Sequence, residues 1–189
     1  MRRAVTVIFS VAVIAAGLTA CSPPPPTPVG AYPTQISAGS FTTCATMNDG
    51  TVRCWGLPIG LTIPLGGPPP DAQGVSTPTF VQGLQQTVQV SVGEGFGCAL
   101  DSLGTVRCWG LNTFGQLGNG TLIDSAVPVE VVGLPPATKV AVAGGGLFAA
   151  GRACAVLVVG GVRCWGYNSV GQLGDGSTSP SPVPVPAIG

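Results

Sequence analysis

Apolar and polar positions alternate over short stretches that stop at glycine or proline. Thr87 to Val92 alternates and ends at Gly93, Gly97 to Leu100 and Thr105 to Gly110 follow, and after a glycine-rich stretch comes Ala126-Val127-Pro128-Val129-Glu130-Val131-Val132. Period-two runs of this length between turn signals predict strands rather than helices. Equivalent runs are Gln35 to Ala38, Thr42 to Thr46, Thr51 to Gly56 and Pro78 to Gly83 before this unit, and Val140 to Ala143, Ala153 to Val158, Gly161 to Gly166 and Val183 to Ile188 after it. Proline has no N–H to give to a ladder, so Pro128, Pro184 and Pro186 place the fourth strand of each unit at an outer edge.

The units repeat. Thr51-Val52-Arg53-Cys54-Trp55-Gly56 returns as Thr105-Val106-Arg107-Cys108-Trp109-Gly110 and as Gly161-Val162-Arg163-Cys164-Trp165-Gly166, at spacings of 54 and 56 residues. Self-similarity at such a period marks a solenoid, propeller or array. Four short antiparallel strands per unit select the all-β propeller, with about three blades present.

Composition alone would leave disorder open. Charged residues are 7% of the 189, where about a quarter is usual, and there are 30 glycines and 19 prolines. A hydrophobic share of 45% and a clear period argue for a packed chain instead. Without Arg2 and Arg3, five basic residues face seven acidic ones, which argues against a binder of nucleic-acid backbones.

Met1-Arg2-Arg3 followed by the uncharged run Ala4 to Gly17 has the layout of an export signal, and is shorter than the roughly 20 residues of a membrane span. Leu18-Thr19-Ala20-Cys21 resembles the lipobox of bacterial lipoproteins, which implies a lipid anchor at Cys21 and membrane attachment by that lipid; an ordinary cleaved signal and a short uncleaved anchor are the alternatives. Ser22-Pro23-Pro24-Pro25-Pro26-Thr27-Pro28 reads as an extended spacer. The expected organisation is a signal over 1–20, a tether over 21–34 and repeats over 35–189, in units of about 35–77, 78–125 and 126–189. The expected location is the bacterial cell envelope or its exterior.

With Cys21 set aside, six cysteines remain as Cys44/Cys54, Cys98/Cys108 and Cys154/Cys164, ten apart each time. There is no histidine, and metal sites favour tighter clusters, so no metal is expected. As hairpins, the pairs face one another across turns at Asn48-Asp49-Gly50, Asp101 to Gly104 and Val159-Gly160-Gly161. Structural disulfides are expected in an exported chain; redox chemistry is the alternative.

The stretches after Trp109 and Trp165 read Gly110-Leu111-Asn112-Thr113-Phe114-Gly115-Gln116-Leu117-Gly118-Asn119-Gly120 and Gly166-Tyr167-Asn168-Ser169-Val170-Gly171-Gln172-Leu173-Gly174-Asp175-Gly176. Cys-Trp-Gly, then Asn, then Gly-Gln-Leu-Gly, then a Pro-Val strand resembles the regulator of chromosome condensation repeat, over about residues 35–189. The resemblance implies a β-propeller, commonly of seven blades, and the cysteine pairs suit its exported bacterial branch. The first unit departs from it, with Leu57-Pro58-Ile59-Gly60 through Gly66-Gly67 in place of the Gly-Gln-Leu-Gly loop, and the third carries extra residues around Phe148 to Arg152. Three units are fewer than the four to eight blades that close a propeller. The strands as counted lack a Pro-Val strand for the first blade and leave Val183 to Ile188 spare. The expectation is a truncated chain or gene fragment; the rival is a homo-oligomer in which the spare strand completes the first blade of a second copy.

No catalytic constellation is legible. Asp49, Asp71, Glu94, Asp101, Asp124, Glu130 and Asp175 are scattered, with Asp49 and Asp101 in turns, and no nucleophile elbow or phosphate loop occurs. Gly118-Asn119-Gly120 and Gly174-Asp175-Gly176 lack the ligand density of a calcium loop and read as turns. No cofactor is expected. Arg53, Arg107 and Arg163 share a strand face with Trp55, Trp109 and Trp165 and are expected to pack between blades, the arginines stacking on aromatic rings. Candidate partner-binding positions are those that change between repeats: Leu111, Thr113 and Phe114 against Tyr167, Ser169 and Val170, with Phe41, Phe96 and Phe148 beside the inner strands. The reading is a non-enzymatic, envelope-anchored or secreted protein-interaction module. The alternative is a secreted enzyme inhibitor, since one branch of the resembled family inhibits β-lactamases; the nucleotide-exchange activity of the nuclear branch, or a hydrolase, stands third.

Overall fold

In the computed structural model, residues 30–59, 74–144 and 150–188 are described. They form twelve strands in three four-stranded antiparallel sheets, with no helix among them. The first sheet holds β1 (Pro33–Ala38), β2 (Thr42–Met47), β3 (Val52–Gly56) and β4 (Val75–Phe80). The second holds β5 (Thr87–Val92), β6 (Phe96–Asp101), β7 (Val106–Gly110) and β8 (Ser125–Glu130), and the third β9 (Ala137–Ala143), β10 (Arg152–Leu157), β11 (Val162–Gly166) and β12 (Ser181–Pro186). Each sheet runs in chain order from first strand to fourth, and the sheets stack face to face as propeller blades, with β1, β5 and β9 innermost.

The hairpins form where glycine permits them. Gly50, Gly104, Gly160 and Gly161 all have positive φ, a region open to glycine without steric cost. The repeated Val-Arg-Cys-Trp-Gly segment is the third strand of each blade, paired on both sides. Proline-bearing β4, β8 and β12 are edge strands, as their missing N–H groups require.

The expected strand bookkeeping is corrected. Each fourth strand closes its own sheet instead of opening the next, so the blades span 33–80, 87–130 and 137–186 and no unit is short of a strand. β12 pairs with β11 through Arg163 opposite Pro186 and Cys164 opposite Val185, which removes the premise of a spare strand completing a second copy. β4 also begins earlier than expected, at Val75, because its partner Gly56 opens the pairing there. Pro33 and Thr34, expected at the end of the tether, belong to β1, where the Thr34 hydroxyl donates to the Thr46 carbonyl at 3.2 Å. The signal, Cys21 and the first proline-rich residues lie outside the described residues.

The core lies between blades. The front of blade 1 (Cys44, Val52) packs against Val90, Ala99 and Trp109 of blade 2. The front of blade 2 (Phe96, Cys98, Leu100, Val106, Cys108) packs against Val140, Ala153, Ala155 and Trp165 of blade 3. Side-chain amides tie the inner strands together: Gln35 donates to the Val90 carbonyl and accepts from its N–H, both at 3.0 Å. Gln89 repeats this with Val140 at 2.9 and 3.0 Å. Ser37 and Ser91 accept the next N–H groups, those of Val92 and Val142. Each such bond contributes about 1 kcal/mol net.

The six cysteines pair as expected, Cys44–Cys54, Cys98–Cys108 and Cys154–Cys164. Each pair sits at directly opposed positions of a hairpin, with Cα atoms 4.0 to 4.1 Å apart. Trp109 and Trp165 are buried between blades, while Trp55 is half-exposed. The arginines depart from the expected packing between blades, because each makes its contacts within its own blade. Arg53 lies 4.3 Å over the Phe80 ring, Arg107 pairs with Asp101 and Glu130, and Arg163 donates to the Pro184 carbonyl.

Candidate functional site

Among the described residues, the connections from third to fourth strand in blades 2 and 3 are built alike. Asn112 is fully buried, and its amide donates to the carbonyls of Thr121 and Ile123 at 3.0 Å while its oxygen accepts the Leu117 N–H at 2.9 Å. Asn168 repeats this with Ser177 and Ser179 at 3.1 and 3.0 Å and with Leu173 at 2.8 Å. Leu117 and Leu173 plug the loops from inside. Gly118 has a positive φ, and a Cβ there would meet the Trp165 indole at 2.8 Å, so the glycine answers both backbone and packing. The same indole donates to the Gln116 carbonyl at 2.9 Å, locking the loop of blade 2 to blade 3.

The acidic and amide side chains of these loops serve the backbone. Asn119 and Asp175 each accept the N–H two residues on, from Thr121 at 3.1 Å and Ser177 at 3.0 Å. The Ser177 N–H holds the Asp175 carboxyl below its usual range, and Thr51 does the same for Asp49. Asp124 accepts the Asn112 N–H at 2.6 Å, and Asp101 accepts those of Leu103 and Thr105. These groups hold turns.

What the frame presents is a set of tips. Thr113 and Ser169 are exposed, Val170 is largely exposed, and Phe114 and Tyr167 are half-buried. The rings of Phe114 and Tyr167 meet edge to face across the two blades, with centroids 4.9 Å apart and planes at 71°. The Ser169 hydroxyl donates to the Tyr167 hydroxyl. Of the six loop candidates, five therefore reach the surface. Leu111 does not: it is buried over Gly95, where an added Cβ would lie 2.5 Å from its Cδ1. Phe96 is likewise core, Phe41 is partly exposed, and Phe148 lies outside the described residues.

Sequence reading missed Leu122 and Ile123, both well exposed on the blade 2 loop. Aligning the two loops would have found them, since Thr178 and Ser179 stand at those positions in blade 3. A cleft of about 310 Å³ between blades 1 and 2 is walled by Trp55, Phe80, Trp109 and Val127.

The comparisons with known proteins agree with the repeat. Models of the Regulator of chromosome condensation (RCC1) repeat match residues 34–58, 87–116 and 104–150. The chain is 33% identical over 146 residues to the human E3 ubiquitin-protein ligase HERC2, covering 76% of this chain and 3% of that protein. It is 34% identical over 152 residues to the ultraviolet-B receptor UVR8 of Arabidopsis thaliana, covering 79% of this chain and 33% of the receptor. The crystal structure of Prp20p from Saccharomyces cerevisiae superposes with a TM-score of 0.65 at 18% identity, over 83% of this chain and 38% of that one. The chain thus spans about a third of UVR8 and a small part of HERC2, and its three sheets are blades of the RCC1-type propeller.

Proposed function

We propose that this chain, built of RCC1-type repeats, is a non-enzymatic protein-interaction module, anchored to a bacterial envelope or secreted, that engages its partner with the loop tips of blades 2 and 3. The observation that carries this is the Phe114–Tyr167 contact. Two loops with the same buried Asn, Leu and glycine frame differ at their tips, and the differing residues come together as one aromatic surface rimmed by Thr113, Ser169 and Val170. A rigid frame presenting half-exposed aromatics is how interface anchors are commonly held. The partner surface it suits is apolar and polar rather than strongly charged, given how few charges the chain carries.

Further support is indirect. Prp20p has been studied for its binding to Gsp1p and histones, and yeast RCC1 (Prp20) has been crystallised bound to Kap60, so propellers of this shape bind proteins. The carboxylates of Asp49, Asp101, Asp124 and Asp175 are engaged in turns and loops, where they serve structure rather than proton transfer. The envelope location rests on the basic-apolar start and the Leu18–Cys21 motif of the sequence.

The test is retention of proteins from an envelope extract by the wild-type chain, by Phe114→Ala/Tyr167→Ala, and by Val159→Asp on the opposite hairpin. A protein retained by the wild type and by Val159→Asp, but lost with the double variant, supports the reading. A retained set indifferent to the double variant rejects it.

A further inference from the structure

Of the four asparagines in the chain, Asn119 alone is followed by glycine. An asparagine side chain can be attacked by the backbone nitrogen of the next residue, and glycine, having no Cβ, hinders that ring closure least. Both reacting groups of this pair are held. The Asn119 Oδ1 accepts from the Thr121 N–H at 3.1 Å, the Thr121 hydroxyl at 2.8 Å and the Asn112 amide at 3.3 Å. Donors gathered on one carbonyl oxygen polarise it, as in sites that stabilise charge developing on an acyl oxygen. The Gly120 N–H is committed elsewhere: it donates to the Pro182 carbonyl at 3.0 Å, on β12 of the next blade.

That second bond keeps the site shut. The Gly120 nitrogen reacts through the face of its planar peptide group and must give up its proton. Donating to Pro182 fixes that plane and keeps the proton in place. Burial plays no part, because Gly120 and Thr121 are exposed and Asn119 is half-buried, so water reaches the pair. The loop rests closely on blade 3 here: a Cβ at Gly115 would lie 2.4 Å from the Pro182 Cα, and the Trp165 indole holds the Gln116 carbonyl. We propose that Asn119–Gly120 is a self-modifying site, closed while the blade 2 loop sits on blade 3 and reactive when that joint opens.

In the step itself, a bond forms between the Gly120 nitrogen and the Asn119 Cγ, and the Cγ–Nδ2 bond breaks. Ammonia leaves with the proton that Gly120 gives up, and a cyclic imide remains. Water then opens the ring at Cγ to give aspartate, or at the backbone carbonyl to give isoaspartate. The two products differ in consequence. Aspartate keeps the turn, as Asp175 does in blade 3 by accepting the Ser177 N–H at 3.0 Å. Isoaspartate routes the chain through Cβ and Cγ, so the side-chain oxygen no longer caps Thr121, whose carbonyl Asn112 holds at 3.0 Å. The loop that carries Phe114 is then loosened.

Peptide mass spectrometry of the purified chain, aged in mildly alkaline buffer, follows the conversion of Asn119. The chain unfolded in urea should convert at least about 100-fold faster than the folded wild type, and folded Trp165→Phe at least about 10-fold faster. Val159→Asp, on the far hairpin, should convert as the wild type does. In the wild type, conversion should rise in proportion to hydrogen exchange at the Gly120 amide as urea is raised below the unfolding transition. A folded wild type that converts as fast as the unfolded chain overturns the proposal, as does conversion that does not follow exchange at Gly120. A Trp165→Phe chain that exchanges Gly120 faster yet converts Asn119 no faster overturns it too, and so does acceleration by Val159→Asp alone.

Discussion

The indole Nε1 of Trp165, on the third strand of blade 3, donates to the backbone carbonyl of Gln116, in the loop of blade 2, at 2.9 Å. That bond joins the repeat's most conspicuous aromatic residue to its glycine-rich loop across a blade boundary. It ties the Cys-Trp-Gly segment of blade 3 to the Gly-Gln-Leu-Gly loop of blade 2.

Trp165→Phe should therefore destabilise the chain by about 1–3 kcal/mol, since it removes the buried hydrogen bond from the indole to the Gln116 carbonyl. Trp165→Ala should cost about 3–5 kcal/mol by adding a cavity, and Trp55→Ala clearly less, because Trp55 is half-exposed. Urea unfolding followed by circular dichroism measures all three.

Asn112→Ala leaves the Thr121 and Ile123 carbonyls and the Leu117 N–H without the partners they have now. The expected loss is about 2–4 kcal/mol, with the loop's amide protons exchanging faster. Asn112→Asp should be no better, because a carboxylate cannot donate to the two carbonyls. Hydrogen exchange over residues 112–124 is the measurement, and unchanged protection there would contradict the role given to Asn112.

Replacing Cys98 and Cys108 together by alanine removes a crosslink closing ten residues of chain. Chain entropy predicts a loss of about 2–3 kcal/mol. The buried position between blades adds a packing cost on top. The urea midpoint of the double variant, compared with the wild type under oxidising conditions, reads the sum.

The Asp175 carboxyl is held below its ordinary value of 3.8, first by the Ser177 N–H and further by the Ser177 hydroxyl and the Asn168 amide. A depressed folded value means that the ionised group supports the loop above the unfolded value near 3.8, and that this support is lost as pH falls through the lower folded value. Carboxyl NMR titration should find Asp175 titrating below 3.8, and a midpoint at or above that value would contradict the geometry. Asp175→Asn should keep the loop and remove its acid sensitivity, since Asn119 holds the same turn in blade 2.

Most of the fold was legible because its determinants are local and repeated. Alternation marked the strands, the ten-residue cysteine spacing marked the hairpins, and proline marked the edges; the structure follows all three. What sequence reading missed depends on neighbours distant along the chain. The arginines look equivalent, yet Arg53 stacks on Phe80, Arg107 pairs with Asp101 and Glu130, and Arg163 donates to the Pro184 carbonyl, so the contacts of each depend on its own fourth strand. Leu111 and Tyr167 occupy the same repeat position, but one is packed over Gly95 and the other meets a ring from the next blade. The alternation over Pro78 to Gly83 lies a few residues later than β4 itself, because pairing with Gly56 and not local propensity sets where the strand starts.

The claim that the loop tips of blades 2 and 3 carry recognition is tested most directly by affinity for the protein that the wild-type chain retains. Calorimetric titration should show Phe114→Ala weakening binding at least about 30-fold, as expected of a central aromatic anchor, and Val159→Asp changing it less than about 3-fold. Equal affinity in wild type and Phe114→Ala, or a large loss with Val159→Asp alone, would put the binding surface on another face of the blades.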